Sequence, residues 1–189
     1  MHLVDSTPIE CARSRPTVRR SDLAGWAGYG YCASHSRFFW GLRLHLIATP
    51  AGLPVAWAVT SPSQDEREVL RSMLEHLATT GAHTIITDKG YRSADLEDDL
   101  NQAGLTLLRP AARNEAPRPG AGLLRPLRQR IESVFDTLKD QVGLERHNGR
   151  TPTGVTTRVA QRILALTAAI WHNDNTSNPH LRSLTPYDH

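Results

Sequence analysis

The chain has 189 residues, 39% apolar and 22% charged, enough to bury one core without disulfide or metal staples. Lys and Arg number 22 against 19 Asp and Glu, a formal charge of +3, so the totals describe neither a histone-like coat nor a polybasic membrane anchor. Cys11 and Cys32 cannot build a disulfide framework, and the opening Met-His-Leu-Val-Asp leaves no room for a signal peptide, so a cytoplasmic location is expected.

His2, Leu3 and Val4 make a stub of strand that meets Asp5 and then a turn at Pro8. About thirty residues of little apolar periodicity follow and read as one long functional loop. That loop holds the basic run Arg13, Arg15, Arg19 and Arg20. It also holds Trp26, Tyr29, Tyr31, Phe38, Phe39 and Trp40, a set suited either to stacking on unpaired bases or to packing against a sheet. Residues 38–48 alternate, with Leu42, Leu44 and Leu46 against Arg43, His45 and Ile47, which predicts a half-buried strand. A turn at Pro50, Ala51 and Gly52 returns the chain as an antiparallel strand over residues 55–59. The charge-free stretch 46–64 has the length of a membrane span, but Pro50, Gly52, Pro54 and Pro62 interrupt it, so no membrane association is expected.

Ser63 and Glu66 have capping-box spacing and predict a helix starting there, with Val69, Leu70, Met73, Leu74 and Leu77 as its buried stripe and Gly81 as its stop. Residues 84–87 read as a buried strand ending at Asp88, residues 93–103 as a helix stopped by Gly104, and residues 105–108 as a further strand. Prolines and glycines make residues 109–121 a loop. A third helix, residues 123–142, carries the stripe Ile131, Val134, Phe135, Leu138 and Val142. A last one, residues 154–171, buries Val155, Val159, Ile163, Leu166 and Ile170. Residues 173–189 read as a loose polar tail, leaving residues 1–172 as one domain. The element order predicts an α/β fold, a mixed sheet of about five strands flanked by helices.

Three carboxylates from distant parts of the chain, Asp5, Asp88 and Glu132, can meet at one end of such a sheet. Like charges at close range raise one another's pKa, and divalent cations relieve the repulsion. Two Mg²⁺ ions about 3.5–4 Å apart clamp the attacking and leaving oxygens of an in-line phosphoryl displacement, which points to a phosphodiester substrate. Strand ends and helix faces also attract Asp and Glu for reasons of local structure. On the third helix, at about 100° per residue, Arg128, Glu132 and Lys139 fall within about 40° of one another beside the apolar stripe. Arg128 or Lys139 there either holds Glu132 or meets a phosphate. In Asp88-Lys89-Gly90-Tyr91 the glycine allows a tight turn past the strand, and Lys89 and Tyr91 can reach a phosphate. Arg109, Arg113, Arg118, Arg125, Arg128 and Arg130 face the single acid Glu115 in their stretch, so salt-sensitive polyanion binding is expected, with a solvated surface as the plain alternative. Cys11, Cys32 and His35 fall short of the four ligands of a structural zinc, and His45 reads as a structural histidine. The chain has neither a P-loop nor a Gly-x-Ser-x-Gly element.

Taken together, several motifs resemble the DDE transposases of bacterial insertion sequences: Asp5-Ser6-Thr7-Pro8, Gly30-Tyr31-Cys32-Ala33-Ser34, Trp40-Gly41-Leu42-Arg43-Leu44-His45, Asp88-Lys89-Gly90-Tyr91, and Arg128 and Glu132 with Lys139. The resemblance covers nearly all of the chain as far as the last helix. It implies a ribonuclease-H-like core in which Asp5, Asp88 and Glu132 bind two Mg²⁺ or Mn²⁺ ions. It also implies DNA strand cleavage by water, transfer of the freed 3′-hydroxyl to target DNA, and a homo-oligomer when active. Lys89, Tyr91, Arg125, Arg128, Arg130 and Lys139 become candidate contacts to the element's ends and target DNA. Arg125 stands where that family often has a tyrosine. Relatives also carry an N-terminal region that recognises the element's ends before the first aspartate, so Asp5, arriving at once, is read as the mark of a shortened copy, a misplaced start codon or one product of a split reading frame. Three other readings fit the same residues: an inactive truncated remnant that only binds DNA, another ribonuclease-H-like nuclease, and an interaction protein without a nucleic-acid role.

Overall fold

The computed structural model describes residues 1–32, 36–77 and 84–184. The strands are β1 (His2–Ala12), β2 (Gly28–Cys32), β3 (Arg37–Ala48), β4 (Pro54–Thr60), β5 (Thr84–Ile86) and β6 (Thr106–Leu108). Their order is β2-β3-β1-β5-β6, with β4 pairing β3. β1 and β5 run parallel, as do β5 and β6, whereas β2 and β3 are antiparallel, so the sheet is mixed as predicted. The helices are α1 (Arg15–Arg19), α2 (Glu66–Glu75), α3 (Ala94–Gln102), α4 (Ala121–Asp136) and α5 (Pro152–Asn175).

The described residues fall into two compact units. The first comprises Met1–Ser6, His45–Ala58 and Asp65–Ser133. Its core gathers Val4, Ile47, Ile85 and Leu107 from strands, Val69, Leu70, Met73 and Leu74 from α2, Leu96 and Leu100 from α3, and Tyr91. Leu77 packs against this core from beyond the end of α2. The predicted stop at Gly81 lies outside the described residues. The start of α2 differs from prediction: Asp65 is the N-cap, its carboxylate accepting from Arg67 N at 2.9 Å, while Ser63 pairs with Ser61 in the preceding turn. Asp at the cap and Ser two residues earlier compete for the same free amides, and the carboxylate is the stronger acceptor. α3 follows prediction, with Ser93 capping its first turn and Gly104 at φ 73° just past its end.

The second unit comprises Thr7–Leu44, Val59–Gln64 and Val134–His189. Here the predicted long loop is largely structure. β1 continues to Ala12, Ser14 caps α1, and β2 forms a sixth strand. Two local features hid these strands. Asp, Ser and Pro break the apolar alternation of β1, and Pro8 does no harm to its pairing with β5 because that ladder covers only His2 and Leu3. β2 interleaves glycine with tyrosine, and the Phe39 ring and Pro62 come so near Gly30 that a Cβ there would lie 2.7 Å from either. Gly41 is required by close approach as well, since a Cβ there would meet Ile9 O at 2.0 Å. β3 is buried on both faces, not half-buried, with Leu42, Leu44, Leu46 and Ile47 at 0% exposure and His45 at 1%. The aromatic set divides: Phe39 and Trp40 are buried, while Tyr29, Tyr31 and Phe38 are exposed, the last two rings 5.1 Å apart.

The predicted third helix ends as α4 at Asp136 and continues as a π-helical turn over Thr137–Gln141. α5 begins at Pro152 behind its N-cap Thr151 and buries the predicted stripe. Residues 173–183 are not loose. Asn173 is buried, and its Nδ2 donates to Leu181 O at 2.9 Å and Ser183 O at 2.8 Å, which folds the chain back onto the end of α5. The last five residues of the predicted tail lie outside the described ones. Among the described residues no helix is long and apolar enough to cross a membrane.

Candidate active site

Asp5 and Asp88 come from neighbouring parallel strands. Leu3 pairs with Ile86, and each chain reaches its aspartate two residues later. Asp5 does not close its strand, as the sequence suggested, because β1 runs on to Ala12. Asp88 leaves β5 and caps a 3₁₀ turn over Lys89–Tyr91, its Oδ1 accepting from Gly90 N at 2.8 Å. A Cβ at Gly90 would sit 3.0 Å from that same oxygen, a tight approach to the carboxylate and not a matter of a left-handed backbone.

Asp5 Oδ1 accepts from Ser6 N at 2.8 Å, and Ser6 Oγ donates to Glu66 Oε1 at 2.8 Å. Burial pushes the Asp5 carboxyl up to about 7 against the pull of the Ser6 amide. The charges of Asp88 and Glu66 push it the same way, and the Arg128 guanidinium pulls it down. Arg128 reaches from α4 into the crevice that Asp5 and Asp88 line, over Leu3, Val4, Ile86 and Ile131. One turn further along, Glu132 Oε1 stands 3.7 Å from Arg128 Nη2, an i,i+4 pair whose side chains are 39% and 54% exposed. Glu132 also opens onto a concavity of about 430 Å³ lined by Pro110, Leu124, Arg125, Arg128 and Gln129. The charges bearing on Asp5 are thus Asp88, Glu66 and Arg128, and Glu132 joins this group through Arg128. Sequence reasoning missed Glu66 by assigning it to a capping box. No pattern in the sequence separates a capping glutamate from one turned toward a distant strand.

The remaining predicted contacts meet different fates. Lys89 is exposed on the 3₁₀ turn and Arg125 is exposed on α4. Tyr91 is corrected: at 1% exposure it belongs to the core of the first unit and offers no surface to a phosphate. Arg130 is exposed and donates to Pro50 O at 2.6 Å. The π-helical turn is wider than an α-helical one, so the uniform rotation that grouped Lys139 with Glu132 does not apply. Lys139 lines a concavity of the second unit with Pro8, Glu10, Cys32, Arg37, Phe39 and Glu145. The arginine count is corrected too. Arg109 is 3% exposed and donates twice to Glu115, at 2.7 and 2.9 Å, and from Nε to Glu97 at 2.9 Å. Arg118 bridges the same two glutamates at 2.7 and 2.8 Å. In the second unit, burial pushes the Cys11 thiol up to about 11, and its Sγ lies 3.9 Å from His147 Nε2. Cys32 is buried, and His35 lies outside the described residues.

Asp5, Asp88, Glu66 and Glu132 offer only hard oxygen donors, the chemistry that suits Mg²⁺ or Mn²⁺. The upward shift of Asp5 comes first from burial, with the charges of Asp88 and Glu66 adding to it, and a cation beside the carboxyl would favour its ionised form. Among the described residues no three His, Cys, Asp or Glu side chains already stand in metal-holding positions.

A family model described as "Transposase DDE domain" matches residues 2–168. No curated protein matches. Among solved structures, the piggyBac transposase in a synaptic complex with hairpin DNA is similar with a TM-score of 0.57 at 11% identity, over 96% of this chain and 49% of that one. This chain thus spans about half the length of the piggyBac chain. The catalytic core domain of BIV integrase is similar with a TM-score of 0.46 at 12% identity, over 75% of this chain and 81% of that one. The fold is the ribonuclease-H-like mixed sheet.

Proposed function

The chain belongs to the transposase DDE domain family, and from that premise we propose that it is the catalytic domain of an insertion-sequence transposase, cutting DNA and joining a 3′-hydroxyl end to target DNA. The observation that carries this reading is the pair Asp5 and Asp88, brought to one crevice by register-matched parallel strands and faced there by Arg128. Asp5, Asp88 and Glu132 would hold Mg²⁺ or Mn²⁺, two ions in all, which when bound supply positive charge to the attacking and leaving oxygens of the phosphodiester.

The chain's own residues do the rest. Ser6 N and Gly90 N each fix one oxygen of an aspartate, so the two carboxylates are oriented before substrate arrives. Arg128 pairs with Glu132 and offsets the charge at Asp5 while no cation is present. Arg125 and Lys89, both exposed, meet the phosphates flanking the scissile one, and the partner is DNA, engaged by a homo-oligomer. A second reading, a chain that binds DNA without cutting it, draws on the exposure of Glu132 and its pairing with Arg128.

The test is nicking of supercoiled DNA by the purified chain with Mn²⁺. Asp88→Asn removes a ligand charge and little volume, so it is expected to abolish nicking while leaving the circular dichroism spectrum unchanged. Nicking that survives in both Asp88→Asn and Asp5→Asn overturns the catalytic reading. Salt-sensitive DNA binding without nicking by the unaltered chain selects the second.

A further inference from the structure

We propose that the outward face of the β2 and β3 strand pair is a stacking platform for unpaired DNA bases, made by the rings of Tyr29, Tyr31 and Phe38. This deepens the DNA-binding part of the function proposed above and rests on it.

β2 is the terminal strand of the sheet, and it pairs antiparallel with β3 so that Tyr29 stands opposite Trp40 and Tyr31 opposite Phe38. Residues two apart on a strand share a face, as do residues directly opposed across a pair, so these four rings belong to one side. Gly28 and Gly30 take the other side, where a Cβ would lie 3.2 Å from Ser61 Oγ and 2.7 Å from Pro62 and the Phe39 ring. A slip of one residue would press the tyrosines into those contacts, so the register holds them outward. Trp40 is buried, but Tyr29, Tyr31 and Phe38 remain 65%, 49% and 77% exposed. Single exposed rings are ordinary, whereas three grouped on one face mark a surface that meets something.

The charge beside the rings points to the occupant. Glu10 takes Arg13 on one carboxylate oxygen at 3.2 Å and Arg37 on the other at 3.3 Å, tying the start of the basic run to the residue next to Phe38. One carboxylate between two guanidiniums leaves positive charge there. Arg15, Arg19 and Arg20 continue the run, all exposed, with no acid before Asp22. Lys139 and Glu145, which share a concavity with Arg37, offset each other. Arginines beside exposed rings suit single-stranded nucleic acid, whose phosphates seek cations and whose bases present bare π-faces. A protein partner fits less well, because a stable interface takes about 20–30 residues a side and this face supplies three rings.

The plain alternative is that Tyr31 and Phe38, with centroids 5.1 Å apart, only steady the two strands as a cross-strand pair. Such a pair contributes to folding and is indifferent to DNA, whereas a platform contributes to affinity for bases.

The experiment is fluorescence anisotropy of the full chain with labelled oligothymidylate, an abasic strand of the same length and a duplex, at one salt concentration without divalent cations. Oligothymidylate is expected to bind about tenfold or more tighter than the abasic strand, which carries the same phosphates and no bases. Tyr31→Ala and Phe38→Ala are each expected to weaken oligothymidylate binding by about fivefold or more and to leave duplex binding within about twofold. Tyr31→Phe and Phe38→Tyr keep a π-face and are expected to keep the affinity. Equal binding of oligothymidylate and the abasic strand by the unaltered chain overturns the platform without recourse to any variant. Alanine variants that lose stability in urea and keep their oligothymidylate affinity select the cross-strand pair. A dimer in sedimentation that Phe38→Ala dissociates, with oligothymidylate affinity unchanged, overturns the proposal in favour of a second copy of the chain. Duplex binding retained while the two single strands bind alike overturns the platform alone, and no binding to any of the three probes overturns the DNA-binding reading with it.

Discussion

Residues 109–118 and residues 125–132 look alike as sequence, each a short stretch punctuated by arginine, yet they end in opposite electrostatic states. In the first, Arg109 and Arg118 close a four-membered network with Glu97 and Glu115, and Arg109 is 3% exposed. In the second, Arg125 is exposed and Arg128 has one long contact to Glu132 beside the candidate site. The difference is made by Glu97, which α3 brings to the loop from well upstream. Charge counted along a chain therefore overstates the surface available to a polyanion wherever a distant acid folds back onto it.

The largest test of this contrast is removal of Arg109. Arg109→Met leaves Glu97 and Glu115 sharing Arg118 alone, and stripping one partner from a buried ionic network is expected to destabilise the fold by about 3 kcal/mol. Urea denaturation measures this. A change below about 1 kcal/mol would class the network with ordinary surface pairs and remove the contrast.

The pH dependence of stability separates the same regions by sign. In Glu115, the hydrogen bond from Arg109, with help from Ala112 N and Arg118, holds the carboxyl below its usual range. Its contribution is present above its ordinary value of 4.5 and is lost as pH falls from there toward its folded value. Asp5 behaves oppositely. Its pKa rises from 3.8 to about 7 on folding, so its contribution is complete below about pH 4 and is lost as pH climbs through 7 in the absence of divalent cations. Urea unfolding in chelator-containing buffers from pH 3 to 8 is expected to show Glu115→Gln flattening the acid limb and Asp5→Asn flattening the decline toward pH 7. A decline unchanged in Asp5→Asn would mean that Asp5 is not the group responsible.

Much of this was legible in the sequence. Periodicity located α2, α3, α5 and the core stripes, since apolar spacing reports burial directly. Asp5, Asp88, Arg128 and Glu132 followed from motifs whose residue types are chemically constrained, and the structure brings the first three to one crevice. What was hidden depended on contacts between distant segments. β2 needs Phe39 and Pro62 over Gly30, Glu66 needs Ser6, and Tyr91 looks like a polar loop residue until the core closes around it. The π-helical turn at Thr137–Gln141 is a local feature of the same kind, because no residue in it departs from ordinary helical composition.

Arg128 sharpens the comparison at smaller amplitude. Its pair with Glu132 is long and partly exposed, so Arg128→Ala is expected to change stability by less than about 1 kcal/mol. Nicking with Mn²⁺ is nonetheless expected to fall by about tenfold or more, since Glu132 loses the group that orients it. A variant that loses stability and keeps its nicking rate would show Arg128 to be a structural arginine like Arg109.

The smallest expected effect is the most direct measure of which arginines meet DNA. Arg125 is exposed on the concavity that Glu132 lines, so Arg125→Ala should lower the slope of log affinity against log salt by about 0.9, the loss of one phosphate contact. Arg118→Ala should leave that slope unchanged, because its guanidinium is committed to Glu97 and Glu115 before any DNA arrives. Arg113 makes the comparison decisive: it lies in the loop with Arg118 but is exposed. If Arg113→Ala lowers the slope while Arg125→Ala does not, DNA follows the loop and not α4, and the phosphate path must be drawn away from Glu132.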